Sequence, residues 1–353
     1  MVNTPSVSGQ EGEIASLLKK KMTELGYDTV IDEAGNVVGQ LGIGSPHVLL
    51  CGHMDTVPGD LPISHQNGVL TGRGSVDAKG PLASLIIGGY QAYRNGFKGT
   101  IIVAAVVDEE GQNKGVKEII RKGMKVDYAV FGEPSNVNSI TVGYKGAFSV
   151  RIKLITEAGH SSAPWMYTNA IDAAMDLYNI IKKTVVNMTD ANQGIDALTI
   201  TLRSIHGGKG FGSIPNECEI LIGIRIPFGI KSQNIIQLVK DQVSGYNSIN
   251  PKIRICFTVL DQVEPFLADK KSMIVKAFSR VIYSYSNDSV KLVRKSGTGD
   301  MNYYGNATKT PCITYGPGDP HLDHTDNEQI KIEDYLDSIN IISNALLTLE
   351  KLL

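Results

Sequence analysis

The chain has 353 residues, 42% hydrophobic and 20% charged, enough for about two domains with sizeable cores at roughly 150 residues each. Its 34 Lys and Arg against 36 Asp and Glu leave a net charge of -2, which excludes a nucleic-acid binder that works through bulk positive charge. The longest apolar run, near 101–107, is far too short to span a bilayer, and no basic stretch precedes an apolar one near Met1, so neither a membrane anchor nor a secretory signal is expected.

Along the chain, Ser8-Gly9-Gln10-Glu11 reads as a capping box. It opens a helix whose apolar stripe is Ile14, Leu17, Leu18, Met22 and Leu25, ending at Gly26. Apolar runs at 47–51, 100–107 and 128–131 read as buried strands, with helical segments near 81–95 and 114–122 between them. Such alternation predicts an α/β layer with a largely parallel sheet. Past Val142 the pattern changes to a strand at 147–155, a helix at 169–183, strands at 198–206 and 216–227, a helix near 233–243 and a strand near 253–260. A loop opening with Gly207-Gly208-Lys209-Gly210 joins the two central strands. This is the element order of a ferredoxin-like unit. Helices near 272–283 and 332–352 and a strand at 312–315 then return to the first style. The chain therefore reads as a first domain in two parts, 1–143 and 263–353, with a ferredoxin-like α+β domain inserted at 144–262. Cys51, Cys218, Cys256 and Cys312 are scattered and form no CxxC pair; they read as reduced thiols of a cytoplasmic protein.

The chemistry sits at strand ends. The first buried strand runs into Gly52-His53-Met54-Asp55, the second into Asp108-Glu109-Glu110 and the third into Gly132-Glu133-Pro134, while Asp77 lies in a glycine-rich loop. Ligands of open α/β sheets bind at the carboxyl ends of strands. So many carboxylates in one small site repel one another and are costly to desolvate, so one or two divalent cations are the natural compensation. His, Asp and Glu without a Cys ligand suit zinc, with cobalt or manganese as substitutes. Five ligands with one shared carboxylate would suit two ions about 3.5–4 Å apart. In His53-Met54-Asp55 the i, i+2 spacing lets Asp55 accept from the second imidazole nitrogen and orient His53. His321 rivals His324 as a ligand, but His324 directly precedes what reads as a helix start, Thr325-Asp326-Asn327-Glu328. The glycines of 72–80 superficially suggest a phosphate loop, yet GxxxxGK[ST] is absent, and so is the GxSxG of serine hydrolases.

The segments GHMDTVPG (52–59), GRGSVDAKGPLAS (72–84), VVDEEG (106–111), FGEPS (131–135), GHSSAP (159–164) and HTDNE (324–328) resemble, in order and over nearly the whole chain, the co-catalytic zinc amidohydrolases. That family includes acetylornithine deacetylase, succinyl-diaminopimelate desuccinylase, aminoacylase and the glutamate carboxypeptidases. VDAKGPLA together with SGTGDMN (296–302) is most similar to the branch that hydrolyses lysine or ornithine linked to an amino-group carrier protein. Ala78, Pro81 and Ser135 depart from the commoner wording without touching a ligand.

The resemblance implies a zinc exopeptidase-like fold and two zinc ions per chain. His53 and Glu133 would hold one ion, Glu110 and His324 the other, and Asp77 would bridge them. It implies catalytic roles for Asp55, for Glu109 as the general base toward water activated at the metals, and for His160, reaching into the partner's site of a homodimer to steady the oxyanion. Arg225, with its planar fork, would bind a substrate carboxylate beside Ser296, Gly297 and Thr298. The implied reaction releases L-lysine, L-ornithine or both from the carrier in lysine or arginine biosynthesis, with no nucleic-acid or membrane partner. Two alternatives stand beside it: deacylation or dipeptide cleavage of small N-acyl amino acids, and a metal-binding homologue without catalysis. Against the last, a mere metal holder needs none of Asp55, Glu109 and His160.

Overall fold

The computed structural model describes residues 1–191, 193–208 and 210–353; Lys209 of the glycine-rich loop and Asn192 lie outside the described residues. In chain order the elements begin α1 (Gly12–Glu24), β1 (Asp28–Ile31), β2 (Val37–Leu41), β3 (His47–His53), β4 (Ser64–Gln66), β5 (Val69–Thr71), α2 (Lys79–Arg94), β6 (Thr100–Val106), α3 (Lys114–Arg121), β7 (Tyr128–Phe131) and β8 (Ser139–Tyr144). There follow β9 (Gly146–Ile155), α4 (Ala170–Val186), β10 (Thr199–Gly207), β11 (Glu217–Ile226), α5 (Ser232–Ile249) and β12 (Arg254–Val263). The chain ends with β13 (Phe266–Leu267), α6 (Met273–Ser286), β14 (Lys291–Lys295), α7 (Asp300–Thr308), β15 (Cys312–Thr314), β16 (Gln329–Lys331) and α8 (Ile332–Leu352).

These elements form two compact units. One comprises Met1–Gly143, Leu267–Arg294 and Gly299–Leu353; the other comprises Tyr144–Phe266 and Lys295–Thr298. The second unit thus runs past 262 and takes in a short segment that the sequence assigns to the first. The reason is local pairing: Lys145 N–H donates to the Lys295 carbonyl at 3.1 Å, and Arg225 donates to Thr298 Oγ1 at 3.3 Å.

In the first unit the sheet order is β1-β2-β6-β3-β7-β15-β8. The neighbours β6, β3, β7 and β15 are parallel, while β1, β2 and β8 pair antiparallel. Val48, Leu49, Leu50 and Cys51 are all fully buried, as expected for a parallel strand covered on both faces. Helix α2 packs on β3 and against α8. Gly88 permits that approach, because a Cβ there would fall 2.8 Å from Ile342. In the second unit β10-β11-β9-β12 form an antiparallel sheet, which completes a ferredoxin-like βαββαβ unit. Its core joins Phe148, Val150, Ile152 and Leu154 of β9 to Ala174, Leu177 and Ile181 of α4 and Ile235, Ile236 and Val239 of α5. Among the described residues, no helix is long and apolar enough to cross a membrane.

Two expected helix starts are corrected. Helix α1 begins at Gly12 with Glu11 as its N-cap, and no side chain caps it. Ser8 Oγ donates instead to Asp55 Oδ2 at 2.7 Å, and Glu11 Oε1 accepts from Gly9 N and Asp108 N at 2.9 and 3.1 Å. Residues 325–328 start no helix either: Thr325 Oγ1 accepts from Asn327 N at 3.2 Å, and the chain enters β16 before α8 begins at Ile332. In both places the polar side chains serve neighbouring loops rather than a helix end.

Candidate metal centre

Strand registry assembles the site. Across the parallel ladder His53 pairs with Val106, and Cys51 pairs with Phe131. The strands β3, β6 and β7 therefore release the chain at one edge, where His53, Asp55, Glu109, Glu110 and Glu133 follow. Asp77 closes the loop before α2 through a cis peptide bond to Ala78. His324, at φ +60°, comes from the loop before β16.

Two imidazoles face three carboxylates. The buried His53 donates from Nδ1 to the main-chain oxygen of Asp55 at 2.9 Å, and the Asp55 carboxylate stands off at 3.5 Å. The orienting acceptor is thus the Asp55 carbonyl rather than its side chain, which has other partners. Asp55 Oδ1 accepts from Glu109 N at 3.1 Å, and Oδ2 accepts from Glu110 N at 3.1 Å as well as from Ser8. Asp55 thereby fixes the backbone of the Glu109-Glu110 pair. With Nδ1–H spent on a carbonyl, His53 Nε2 lies 3.1 Å from Asp77 Oδ1 and 3.6 Å from Glu133 Oε1. His324 Nε2 lies 2.9 Å from Asp77 Oδ2 and 2.7 Å from Glu110 Oε1.

The donor atoms of His53, Asp77 and Glu133 lie within 4.8 Å of one another, and so do those of Asp77, Glu110 and His324. Asp77 belongs to both sets, one oxygen toward each histidine. A third combination, His53, Glu109 and Glu110, meets the same distance. Imidazole nitrogens and carboxylate oxygens converging without sulfur fit a divalent first-row cation. His321 is strongly exposed, bonds Asp319 at 2.7 Å and joins neither set.

The electrostatics follow from the crowding. Burial alone would lower the His53 pKa, but the Glu133 charge and the bonds to Asp55 and Asp77 outweigh it and raise it well above the ordinary value. Bonds to Asp77 and Glu110 raise His324 to about 10. Burial would raise Asp77, yet the two histidines hold its carboxyl well below the usual range. Burial, then the Glu133 charge, push Glu109 upward, with Asp300 and Glu110 adding to it against His53.

Asp300 was not anticipated as a site residue. It is buried at the start of α7, where burial pushes its carboxyl up to about 7. Asn113 Nδ2 donates at 3.2 Å both to Asp300 Oδ1 and to the Glu109 carbonyl, tying the two together. The only sequence signal was the position of Asp300 inside SGTGDMN. Glu328, which the sequence shows only as part of an expected helix start, is a second such residue: it is buried and accepts from the Asp77 N–H.

The remaining expected residues belong to the second unit. His160 is exposed, and its Nδ1 accepts from Ser162 N at 3.2 Å. The neutral ring therefore carries its proton on Nε2, as an outward donor, while its own loop holds the other nitrogen. Arg225 is half-buried, which lowers its pKa, with the Arg203 charge adding to the effect; Ser296 and Gly297 share the 295–298 segment with Thr298.

The class that this fold and donor set define is the metal-dependent amide hydrolase. Residues 49–348 match Peptidase family M20/M25/M40, and the chain belongs to that family. It is 30% identical to the LysW-lysine hydrolase of Deinococcus radiodurans, over 98% of this chain and 94% of that protein. It is also 30% identical to the LysW-lysine/LysW-ornithine hydrolase of Sulfurisphaera tokodaii, over 98% of this chain and 92% of that protein. The M20 family metallo-carboxypeptidase Sso-CP2 of Sulfolobus solfataricus shares the fold at a TM-score of 0.83 and 17% identity, covering 100% of this chain and 98% of that one.

Protons and metal ions compete for this donor set. Because the His53 and His324 pKa values are raised, both imidazoles hold protons near neutral pH in chelated protein, and metal affinity rises with pH toward the His324 value of about 10. Zinc binding to chelated protein near pH 7 should release roughly two protons. Calorimetry in buffers of different ionisation enthalpy measures this; a binding heat independent of buffer would contradict the assignment.

Proposed function

We propose that this chain is a two-zinc amide hydrolase that releases lysine, ornithine or both from an amino-group carrier protein of the LysW kind. The observation that carries the two-metal reading is Asp77, whose oxygens face His53 and His324 from 3.1 and 2.9 Å. The substrate rests on the names of the full-length relatives. We assign His53, Asp77 and Glu133 to one ion and Asp77, Glu110 and His324 to the other, with cobalt or manganese able to replace zinc. Four free cysteines support a reducing, cytoplasmic setting.

When bound, the metals supply Lewis acidity that polarises the scissile carbonyl and lowers the pKa of water. Glu109 takes a proton from the attacking water as its oxygen bonds to the amide carbon. The same carboxyl returns that proton to the amine nitrogen as the C–N bond breaks. Asp55 and Asn113 hold its backbone in place. We assign Arg225 to a substrate carboxylate, since its fork matches one bidentately and Thr298 orients it. We assign the outward Nε2–H of His160 to the developing oxyanion of the partner's site in a homodimer.

Release of lysine from loaded carrier, abolished by chelation and restored by zinc, tests the function. The expected result is faster turnover of the carrier substrate than of N-acetylornithine; the reverse order would assign the chain to small N-acyl substrates. Glu109→Gln should keep its metals and lose about 10²–10⁴-fold in turnover. Turnover within a few-fold of wild type would remove Glu109 as the base.

Mixing tests the homodimer. Inactive His160→Ala subunits exchanged with inactive Glu109→Gln subunits should regain up to about half of the wild-type activity per heterodimer, because one composite site then holds both groups. Demonstrated exchange without recovery would rule out action in trans.

A further inference from the structure

We infer that Glu328 and Arg73 are positioning residues that fix Asp77 against His324 and so set the metal affinity of the cluster; this rests on the two-metal reading above. Glu328 is fully buried, a rare state for a carboxylate, and it belongs to neither donor set. Its bonds all lead toward residues that do. Oε1 accepts from the backbone N–H of Val76 at 2.9 Å and of Asp77 itself at 3.0 Å. Oε2 accepts from Arg73 Nη1 at 2.9 Å, and the Glu328 main-chain oxygen accepts from Gly72 N at 3.2 Å.

Arg73 carries the link onward. The same Nη1 also donates to the carbonyl of Thr325, the residue after His324, at 3.1 Å. Its Nε donates to the Gly59 carbonyl at 2.9 Å, on the segment that leaves the His53-Met54-Asp55 run. One ion pair, its carboxylate fully buried and its guanidinium half-buried, therefore joins the loop of Asp77, the loop of His324 and the chain beyond β3. The antiparallel β5–β16 ladder, with Thr71 opposite Gln329, brings the first two loops side by side. The ladder alone leaves the final placement of the Asp77 and His324 side chains open. The Glu328 bond to the Asp77 N–H and the Arg73 bond beside His324 remove that freedom.

Two physical points favour positioning over mere stability. A buried ion pair contributes uncertainly to stability, because desolvation opposes the attraction, whereas such pairs can specify one arrangement. Groups that orient metal ligands typically change affinity or activity by 10–100-fold when altered. Asp77 faces both histidines, so a small shift of its backbone changes both ligand sets together.

The test compares zinc affinity, by competition with a chromophoric chelator, and the cobalt(II) absorption spectrum in wild type, Glu328→Gln, Arg73→Lys and Leu349→Ala. Glu328→Gln keeps an oxygen for Val76 and Asp77 but turns an amide NH2, itself a donor, toward Arg73. Arg73→Lys keeps the charge but cannot reach Glu328, Thr325 and Gly59 together. Leu349, fully buried in α8, is the control for lost stability without a changed site. The expected result is a 10–100-fold weaker zinc affinity and a shifted cobalt spectrum in the first two variants, with wild-type values in the third. If Glu328→Gln does not fold, Arg73→Lys alone decides. Wild-type affinity and spectrum in the folded variants would overturn the inference while leaving the two-metal reading intact. A wild-type protein that binds no zinc would overturn both.

Discussion

Everything in the first unit is arranged around an electrostatic conflict. Nδ1 of His53 can only donate to the Asp55 carbonyl, so the neutral ring turns a lone pair toward Asp77 and Glu133. His324 presents one nitrogen to Asp77 and Glu110 at once. Lone pairs converging on carboxylate oxygens repel unless something positive stands among them. Protons on the two histidines, whose pKa values are raised, meet that need, and a divalent cation would meet it in their place. The fold makes the conflict possible by ending three registered parallel strands at one edge.

Holding these groups together takes a surrounding layer of neutral and charged partners. Asp55 and Asn113 anchor the backbone of Glu109, and Ser8 anchors Asp55 in turn. Glu11 accepts from the Asp108 N–H, while Glu328 and Arg73 secure the far side. The peptide N–H groups of the 108–110 loop and of Asp77 thus point into carboxylates, which leaves the side chains of Glu110 and Asp77 free to face His324.

Much of this was legible in the sequence, because apolar runs ending in His or Glu are hard to explain otherwise. Elements with a clear apolar pattern follow from it: the short buried run at 128–131 is β7, and the helical stripe at 332–352 is α8. The short strands β4 and β5 were not legible, since three residues each, exposed or half-buried, carry no period. Ser8 with Glu11, and Thr325 with Glu328, look like helix starts because of their acids. Glu11 and Glu328 accept backbone N–H groups of distant loops, and a carboxylate that does so looks the same in sequence as one that caps a helix. Asp300 escaped because nothing local reveals that the start of α7 meets Asn113 across 187 residues of chain.

If Asp77 is shared by two ions, its loss must empty both sites. Metal analysis of purified Asp77→Ala, beside wild type, His53→Ala and His324→Ala, measures this. The expected content is about two ions per wild-type chain, about one in each histidine variant and neither retained in stoichiometric amount without Asp77. Asp77→Ala protein that is folded and still holds two ions per chain would contradict it.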